Sequence, residues 1–409
     1  MPIVLIADKL PQSGLDRLSN SGCEVTSKPG LNDEKLRQEM ADLNPEVLIV
    51  RSTKVGRKHI EAATRLSLIV RAGAGVNNID IAAASSLGVH VSNCPGKNAV
   101  AVAELAWGHI INGNRRISDC DADLKLGLWK KKTYAKSSGL HGRTLGVIGC
   151  GKIGQEVITR AHAFGMNVVA WSRSLTNKKA SDLGVTRLNS IIEVAQASSV
   201  VTVHLAVNSE TRGMFSTEFF ENMQDNALFV NTCRGELVVE QALIHAINTK
   251  GITAGLDVFC DEPKGDGEWS SSLSKMRGVY GTHHIGASTD QAQEAVAFEA
   301  CRIVISYQEN GVAPNCVNLS SSTLASHLMV IRHKDQVGVL SEVLSSLKSE
   351  GINVKNMDNS IFATSDPSIQ GAANARIQLV GAPSKRLLQS IDNQAAVLEV
   401  KLISLETKA

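Results

Sequence analysis

Thr144-Leu145-Gly146-Val147-Ile148-Gly149-Cys150-Gly151-Lys152-Ile153-Gly154 is the stretch that decides the fold. A short apolar run rich in β-branched residues meets Gly-x-Gly-x-x-Gly, and a helical pattern then continues to about Phe164. Gly149 permits a tight turn, Gly151 lets a pyrophosphate approach the backbone, and Gly154 allows helix and strand to pack closely. The helix N-terminus adds free N–H donors and the positive end of its dipole. Three glycines alone would be weak evidence. Set between a strand and a helix, they predict a dinucleotide site.

Outward from this turn, apolar runs of four or five residues recur at Asn167–Trp171, Val200–His204, Ala227–Asn231 and Thr253–Asp257. Upstream, the same rhythm appears at Ile3–Ala7, Val47–Val50 and Leu68–Arg71. Buried strands alternating with helices predict parallel α/β sheets. The chain thus reads as two doubly wound, Rossmann-like α/β domains. The breaker Cys94-Pro95-Gly96 precedes a long helical pattern, Ala99–Asn112, and a second such pattern, Asp290–Tyr307, is long enough to return the chain to the first sheet. The expected division is a coenzyme domain at 98–287 inserted into a substrate domain made of 1–97 and 288–319. A small polar cluster, Ser320-Ser321-Ser322-Thr323, reads as a linker. From 324 to 409 the order becomes βαββαβ, the signature of a small ferredoxin-like α+β domain.

In a dinucleotide fold an acid is expected about 20 residues after the glycines, where it binds the adenosine ribose. Here that strand ends in Trp171-Ser172-Arg173-Ser174, without one. Two readings stay open. Ser172 and Arg173 accept the 2′-phosphate of NADP, or Ser172 bonds the ribose of NAD while Arg173 lies over the adenine or in solvent.

Hydride exchange between a hydroxy acid and a nicotinamide needs a cation for the carboxylate, a group that exchanges the hydroxyl proton near neutral pH, and a partner for that group. Arg234, Glu262 and His284 stand at the ends of successive elements after the glycine turn, where ligands of open α/β sheets bind. Any one of them alone would read as a solvated charge or a structural histidine. In extended chain only one of His283 and His284 can face the cleft.

These residues, with Arg71–Asp80, Asn93–Gly96, Asn231–Gly235, Gly255–Phe259 and His284–Thr289, resemble the D-isomer-specific 2-hydroxyacid dehydrogenases carrying a C-terminal ACT domain, over about Val50 to Ser404. The resemblance implies a catalytic triad of Arg234, Glu262 and His284, choosing the second histidine of the pair. It implies coenzyme contacts at Ala74, Lys152, Ile153, His204, Leu205, Thr232, Cys233, Asp257, Gly286 and Ala287, with Asp257 on the nicotinamide carboxamide. Arg51, Arg71 and Gly75 match its substrate side, and Lys131, in Lys130-Lys131-Lys132, matches a segment that reaches a neighbouring subunit's site; a solvated face is the plainer reading of that run. Asn77 departs from the usual Asp. The implied activity is NAD-dependent oxidation of 3-phospho-D-glycerate to 3-phosphohydroxypyruvate by a homodimer or homotetramer. The alternatives are an NADP-linked hydroxypyruvate or glyoxylate reductase, and a dinucleotide-sensing binding module. In the ACT-like segment His333, Asp335 and Asn353 match positions that hold L-serine across a subunit interface, except that Asp335 replaces an Asn, so it accepts but cannot donate as an amide does. The plainer alternative is a domain that only joins subunits.

Composition agrees with an ordinary globular chain. Of 409 residues, 43% are hydrophobic and 20% charged, and 42 Lys+Arg against 40 Asp+Glu leave +2, too little to draw nucleic acid or an anionic membrane. Eight cysteines without a Cys-x-x-Cys pair argue against zinc ribbons and a disulfide framework. Met1–Leu10 lacks the features of a signal peptide, so a cytoplasmic protein is expected.

Overall fold

The computed structural model describes residues 1–263, 265–320, 325–363 and 371–405, in two compact units, Met1–Asn318 and Leu319–Ala409. The expected linker at Ser321–Thr323 lies outside the described residues, as do 324 and 406–409.

The first unit holds two all-parallel sheets. Strands β1 (Ile3–Ile6), β2 (Glu24–Ser27), β3 (Val47–Val50), β4 (Leu68–Arg71) and β5 (His90–Asn93) lie in the order β2-β1-β3-β4-β5. β1, β3 and β4 are apolar on both faces because helices cover both, as a doubly wound sheet requires. β2 and β5 carry polar side chains, which hid them from a search for apolar runs.

The second sheet comprises β6 (Thr144–Ile148), β7 (Asn167–Trp171), β8 (Thr186–Arg187), β9 (Val200–Val203), β10 (Leu228–Asn231), β11 (Thr253–Leu256) and β12 (Val279–Gly281), ordered β12-β11-β10-β9-β6-β7-β8. The order reverses at β6, so the crevice beyond the carboxyl ends of β6 and β9 is the switch point where ligands bind in such sheets. A cluster of Phe215, Phe219, Phe220 and Phe229, with ring centroids 4.8–6.2 Å apart, packs one side of this sheet.

Two helices stitch the sheets together. Ala99–Arg115 follows the first sheet in sequence but packs on the second. Trp107 stacks on Phe164 at 4.4 Å, and its indole N–H donates to the Val157 carbonyl at 3.2 Å. Asp290–Asn310, capped by the Thr289 hydroxyl, returns to the first sheet, where Ser13 bonds Glu294 and Arg17 lies 4.1 Å over the Phe298 ring.

The second unit is a four-stranded antiparallel sheet with two helices, in βαββαβ order. Its strands β13 (His327–Lys334), β14 (Asn353–Ile361), β15 (Ala372–Val380) and β16 (Val397–Ser404) are arranged β14-β15-β13-β16. Helices Val339–Ser349 and Lys385–Asp392 close its core around Met329, Ile331, Val343 and Ile377.

Candidate active site

The glycine turn has the shape its sequence predicts. Gly149 sits at φ +102, and a Cβ there would lie 2.2 Å from the His204 carbonyl oxygen. One on Gly154 would lie 2.0 Å from the Gly149 carbonyl. Around Gly151, by contrast, nothing comes within 4 Å of an added Cβ, and no side chain caps the helix Lys152–Ala163 that starts there. The loop is tight where it must turn and open where a pyrophosphate would meet the helix N–H groups. Nearby, the Thr232 hydroxyl is buried with no hydrogen-bond partner among the described residues. An open cradle beside an unpartnered buried donor fits a dinucleotide.

Glu262 and His284 meet. The Glu262 Oε2 lies 2.6 Å from His284 Nδ1, and Oε1 accepts the Phe259 N–H at 2.8 Å. Burial opposes the charge on Glu262, but the bonds from His284 and Phe259, with the charges of His284 and Arg234, outweigh it and hold the carboxyl below its usual range. His284 is about half exposed and has no partner on Nε2 among the described residues. It occupies the left-handed region at φ +54. Its neighbour His283 is exposed and makes no such pair.

That unusual backbone is held by Asp257. Asp257 is 1% exposed. Its Oδ1 accepts from the Thr282 hydroxyl at 2.6 Å and the Ile285 N–H at 2.8 Å, Oδ2 accepts the Gly286 N–H at 2.8 Å, and its carbonyl accepts the His284 N–H. Thr282 is bonded in turn to His109 at 3.1 Å. Through its carboxylate and its carbonyl Asp257 ties the turn 282–286 and so positions His284.

Three arginines converge from different elements. Arg51 follows β3, Arg71 ends β4 and Arg234 follows β10. One Arg234 nitrogen lies 3.2 Å from where a Gly75 Cβ would stand, and another donates to the Cys233 carbonyl. Asn231 clamps this turn by bonding both the Cys233 N–H and the Arg234 carbonyl at 2.9 Å. Arg71 is partly buried with its Nε unpartnered among the described residues, and burial together with the charges of Arg234 and Arg51 pushes its pKa down to about 10. Among the described residues none of the three forms an ion pair. Asp8, the nearby acid, is spent on the backbone: its carboxylate accepts from the N–H groups of Arg51, Ser52 and Thr53. The result is a partly buried cluster of three cationic side chains with no acid paired to it among the described residues.

The other expected residues divide. Ser172 and Arg173 follow β7, and Arg173 pairs with Glu210 at 3.0 Å. His204 is buried, bonded to Thr202 at 3.0 Å and pushed down to about 3 by burial, so its contribution to the crevice is its backbone carbonyl against Gly149. Cys233 donates its thiol to the Val203 carbonyl, and burial raises it to about 12. Leu205 packs its side chain within 3.0 Å of an added Gly149 Cβ, Lys152 lies against Gly96, and the Ala74 carbonyl accepts from Asn93. Ile153 follows Lys152 in the first helical turn, and Ala287 follows Gly286. Lys131 lies in a short exposed helix, Lys131–Tyr134, and no bond ties it to this site. In the second unit His333 is 2% exposed and bonded to Asn359 at 3.1 Å, while Asn353 begins β14 at the opposite end of the sheet. Asp335 sits beyond β13, its N–H on the Gly371 carbonyl. Within one chain these three do not converge.

Residues 107–286 match the D-isomer specific 2-hydroxyacid dehydrogenase, NAD binding domain, family. The fold and sequence of the TT0316 protein from Thermus thermophilus also match, at 31% identity and TM-score 0.69, over 77% of this chain and 99% of that one. The chain belongs to the D-isomer specific 2-hydroxyacid dehydrogenases. The D-3-phosphoglycerate dehydrogenase of Methanocaldococcus jannaschii is 38% identical over 318 residues, 77% of this chain and 59% of that protein. This chain therefore spans about three fifths of that relative's length. A crystal structure of NAD+-bound 3-phosphoglycerate dehydrogenase from Entamoeba histolytica is similar at TM-score 0.65 and 25% identity, over 78% of this chain and 99% of that one.

Residues that sequence reasoning passed over hold the Arg51 and Arg234 backbones and the turn that carries His284. Asp8, His109, Thr282 and Asn231 all act through backbone or buried bonds. A lone acid at the carboxyl end of a buried strand, as Asp8 is, was the one available signal. No helix among the described residues is long and apolar enough to cross a membrane, and no described group of His, Cys, Asp and Glu is placed to hold a metal ion.

Proposed function

We propose that this chain oxidises 3-phospho-D-glycerate to 3-phosphohydroxypyruvate, the step that commits carbon to serine. The observation that carries the reading is the unpaired arginine cluster beside the Glu262–His284 pair. A substrate with a carboxylate at one end and a phosphate at the other supplies anions to pair with Arg51, Arg71 and Arg234. The relative from Methanocaldococcus supports this substrate by its name.

NAD, held by the glycine turn and the Thr232–Cys233 segment, supplies the hydride acceptor. The chain's own residues do the remainder. Arg234 holds the substrate carboxylate, and Arg51 and Arg71 the phosphate. The free Nε2 of His284 takes the hydroxyl proton as the C–H bond breaks, and Glu262 stabilises the imidazolium that results. In the reverse direction the same imidazolium returns the proton to the keto oxygen.

The domain division at 98–287 and the roles of the site residues belong to the same proposal. So does a homodimer or homotetramer, supported by the helix Ile117–Lys125, which buries no residue, and by exposed Leu124, Leu126 and Trp129 beside it. Amino-acid binding at the ACT-like unit rests on its fold and its Gly338 turn at φ +94. A cytoplasmic site suits eight free thiols.

The test is NADH consumption by the whole chain with 3-phosphohydroxypyruvate, hydroxypyruvate and glyoxylate. A kcat/KM at least tenfold higher for the phosphorylated acid is expected, with the preference lost in Arg71→Met. Equal efficiencies would make the chain a general hydroxypyruvate or glyoxylate reductase, and no turnover with any of the three would leave it a dinucleotide-binding module.

A further inference from the structure

The acid missing from the end of β7 has a replacement in space. β7 and β9 flank β6 on either side, so the loops that follow them stand on both sides of the glycine turn. Arg173, after β7, reaches Glu210, after β9, with Nη1 3.0 Å from Oε2. Glu210 is not on a loose loop. Asn208 Oδ1 accepts the N–H groups of Glu210 and Thr211 at 2.9 and 3.0 Å, and the Thr211 hydroxyl donates to the Ala206 carbonyl at 2.7 Å. Both charged groups are largely exposed, so the pair adds little to folding stability and either partner can be changed without unfolding the chain.

We propose that Glu210 sets the coenzyme preference of this chain, by holding Arg173 and by presenting a carboxylate where the adenosine ribose lies in dinucleotide folds. This rests on the NAD-dependent reading above. A free 2′-hydroxyl can donate to such a carboxylate. A 2′-phosphate meets a negative charge instead, and Arg173, which would receive it, is already engaged. The sequence Ser172-Arg173, which by itself suits NADP, is thereby made selective for NAD by a residue 37 positions further along the chain.

The experiment measures the dissociation constants of NADH and NADPH by fluorescence titration of the whole chain, together with kcat/KM for each coenzyme. Glu210→Gln should tighten NADPH relative to NADH by about tenfold, and Glu210→Lys by about a hundredfold, each tenfold step being one modest charge interaction. Arg173→Ala in the Glu210→Gln background should remove the part of the gain that the released arginine supplies, leaving the part due to the lost repulsion. A ratio unchanged within about twofold in both Glu210 variants overturns the inference, as does a Glu210→Gln gain that Arg173→Ala leaves undiminished. If neither coenzyme binds the unaltered chain, the coenzyme reading and this inference fall together. If the dissociation constants move as stated while no hydroxy acid is turned over, Glu210 keeps its role and the proposed substrate falls.

Discussion

Removing the charge of Arg71 should stabilise the protein and destroy its response to phosphate. Arg71 is partly buried, its Nε has no partner among the described residues, and burial with two neighbouring arginines lowers it from the usual guanidinium range to about 10. At about 1.4 kcal/mol for each tenfold change, that displacement costs the folded state roughly 3 kcal/mol while the group stays charged. The sign follows from proton counting. Below pH 10 folded and unfolded chains both carry the charge, so the whole penalty is present at neutral pH. It is relieved only as pH rises from about 10 toward the unfolded value. Arg71→Met keeps the length of the stem and removes the charge. In phosphate-free buffer the variant should therefore unfold at a urea midpoint corresponding to about 1–3 kcal/mol of extra stability, the lower figure allowing for lost packing. An anion that binds only the folded chain at a hundredfold over its dissociation constant adds about 2.7 kcal/mol to the unaltered protein. Inorganic phosphate or 3-phosphoglycerate should produce that gain, and Arg71→Met should lose most of it. A variant less stable than the parent that still responds fully to phosphate would refute the reasoning, because the arginine would then be a structural group with no part in holding an anion.

Other outcomes follow from the same site. His284→Asn should lower kcat by roughly 10²–10⁴-fold while NADH fluorescence titrations stay unchanged, and full activity would remove His284 from the mechanism. Glu262, held below the ordinary carboxylate range, should contribute a stability difference between parent and Glu262→Gln that stays flat from pH 7 to the usual carboxylate value and disappears only on further acidification, as pH-dependent urea unfolding would show. Thr282→Val takes a donor from the buried Asp257 carboxylate and should cost about 1.5–3 kcal/mol of stability. It should lower kcat more than it raises KM, and an unchanged kcat would mean that the turn is held without it.

The parallel sheets were legible because both of their faces are buried. A strand such as Val47–Val50, covered by helices on each side, must be apolar throughout, and four such residues before a polar loop have few other readings. β2 and β5 escaped because each carries a single valine among polar residues, Glu24-Val25-Thr26-Ser27 and His90-Val91-Ser92-Asn93, and at four residues each they are too short for a pattern to stand out. In the second unit His333 and Asn353 are twenty positions apart in the sequence. β13 and β14 are both antiparallel to β15 and so run the same way, and the helix Val339–Ser349 between them carries the chain back to the starting end of the sheet. The two residues thus stand at opposite ends of one chain's sheet, and a ligand touching both would have to bridge two copies.

The candidate site divides along a similar line. Arg234, Glu262 and His284 were candidates in the sequence because few residue types suit the proposed chemistry, and Arg234 and Glu262 follow strands that the apolar pattern marks, whereas β12, before His284, it does not mark. What holds them could not be read there, because it depends on which backbone N–H groups happen to lie within reach. Asp257 is the clearest case. Its residue type suits a contact with a carboxamide, and once β11 and β12 lie side by side its carboxylate also takes the N–H groups of Ile285 and Gly286 and the hydroxyl of Thr282. That structural role has a physical reason. His284 is in the left-handed region, where a residue with a Cβ is disfavoured, so the turn needs a strong acceptor beneath it to keep the imidazole over Glu262. A buried carboxylate taking three bonds is such an acceptor. The Glu262–His284 pair thus depends on an acid that touches neither side chain.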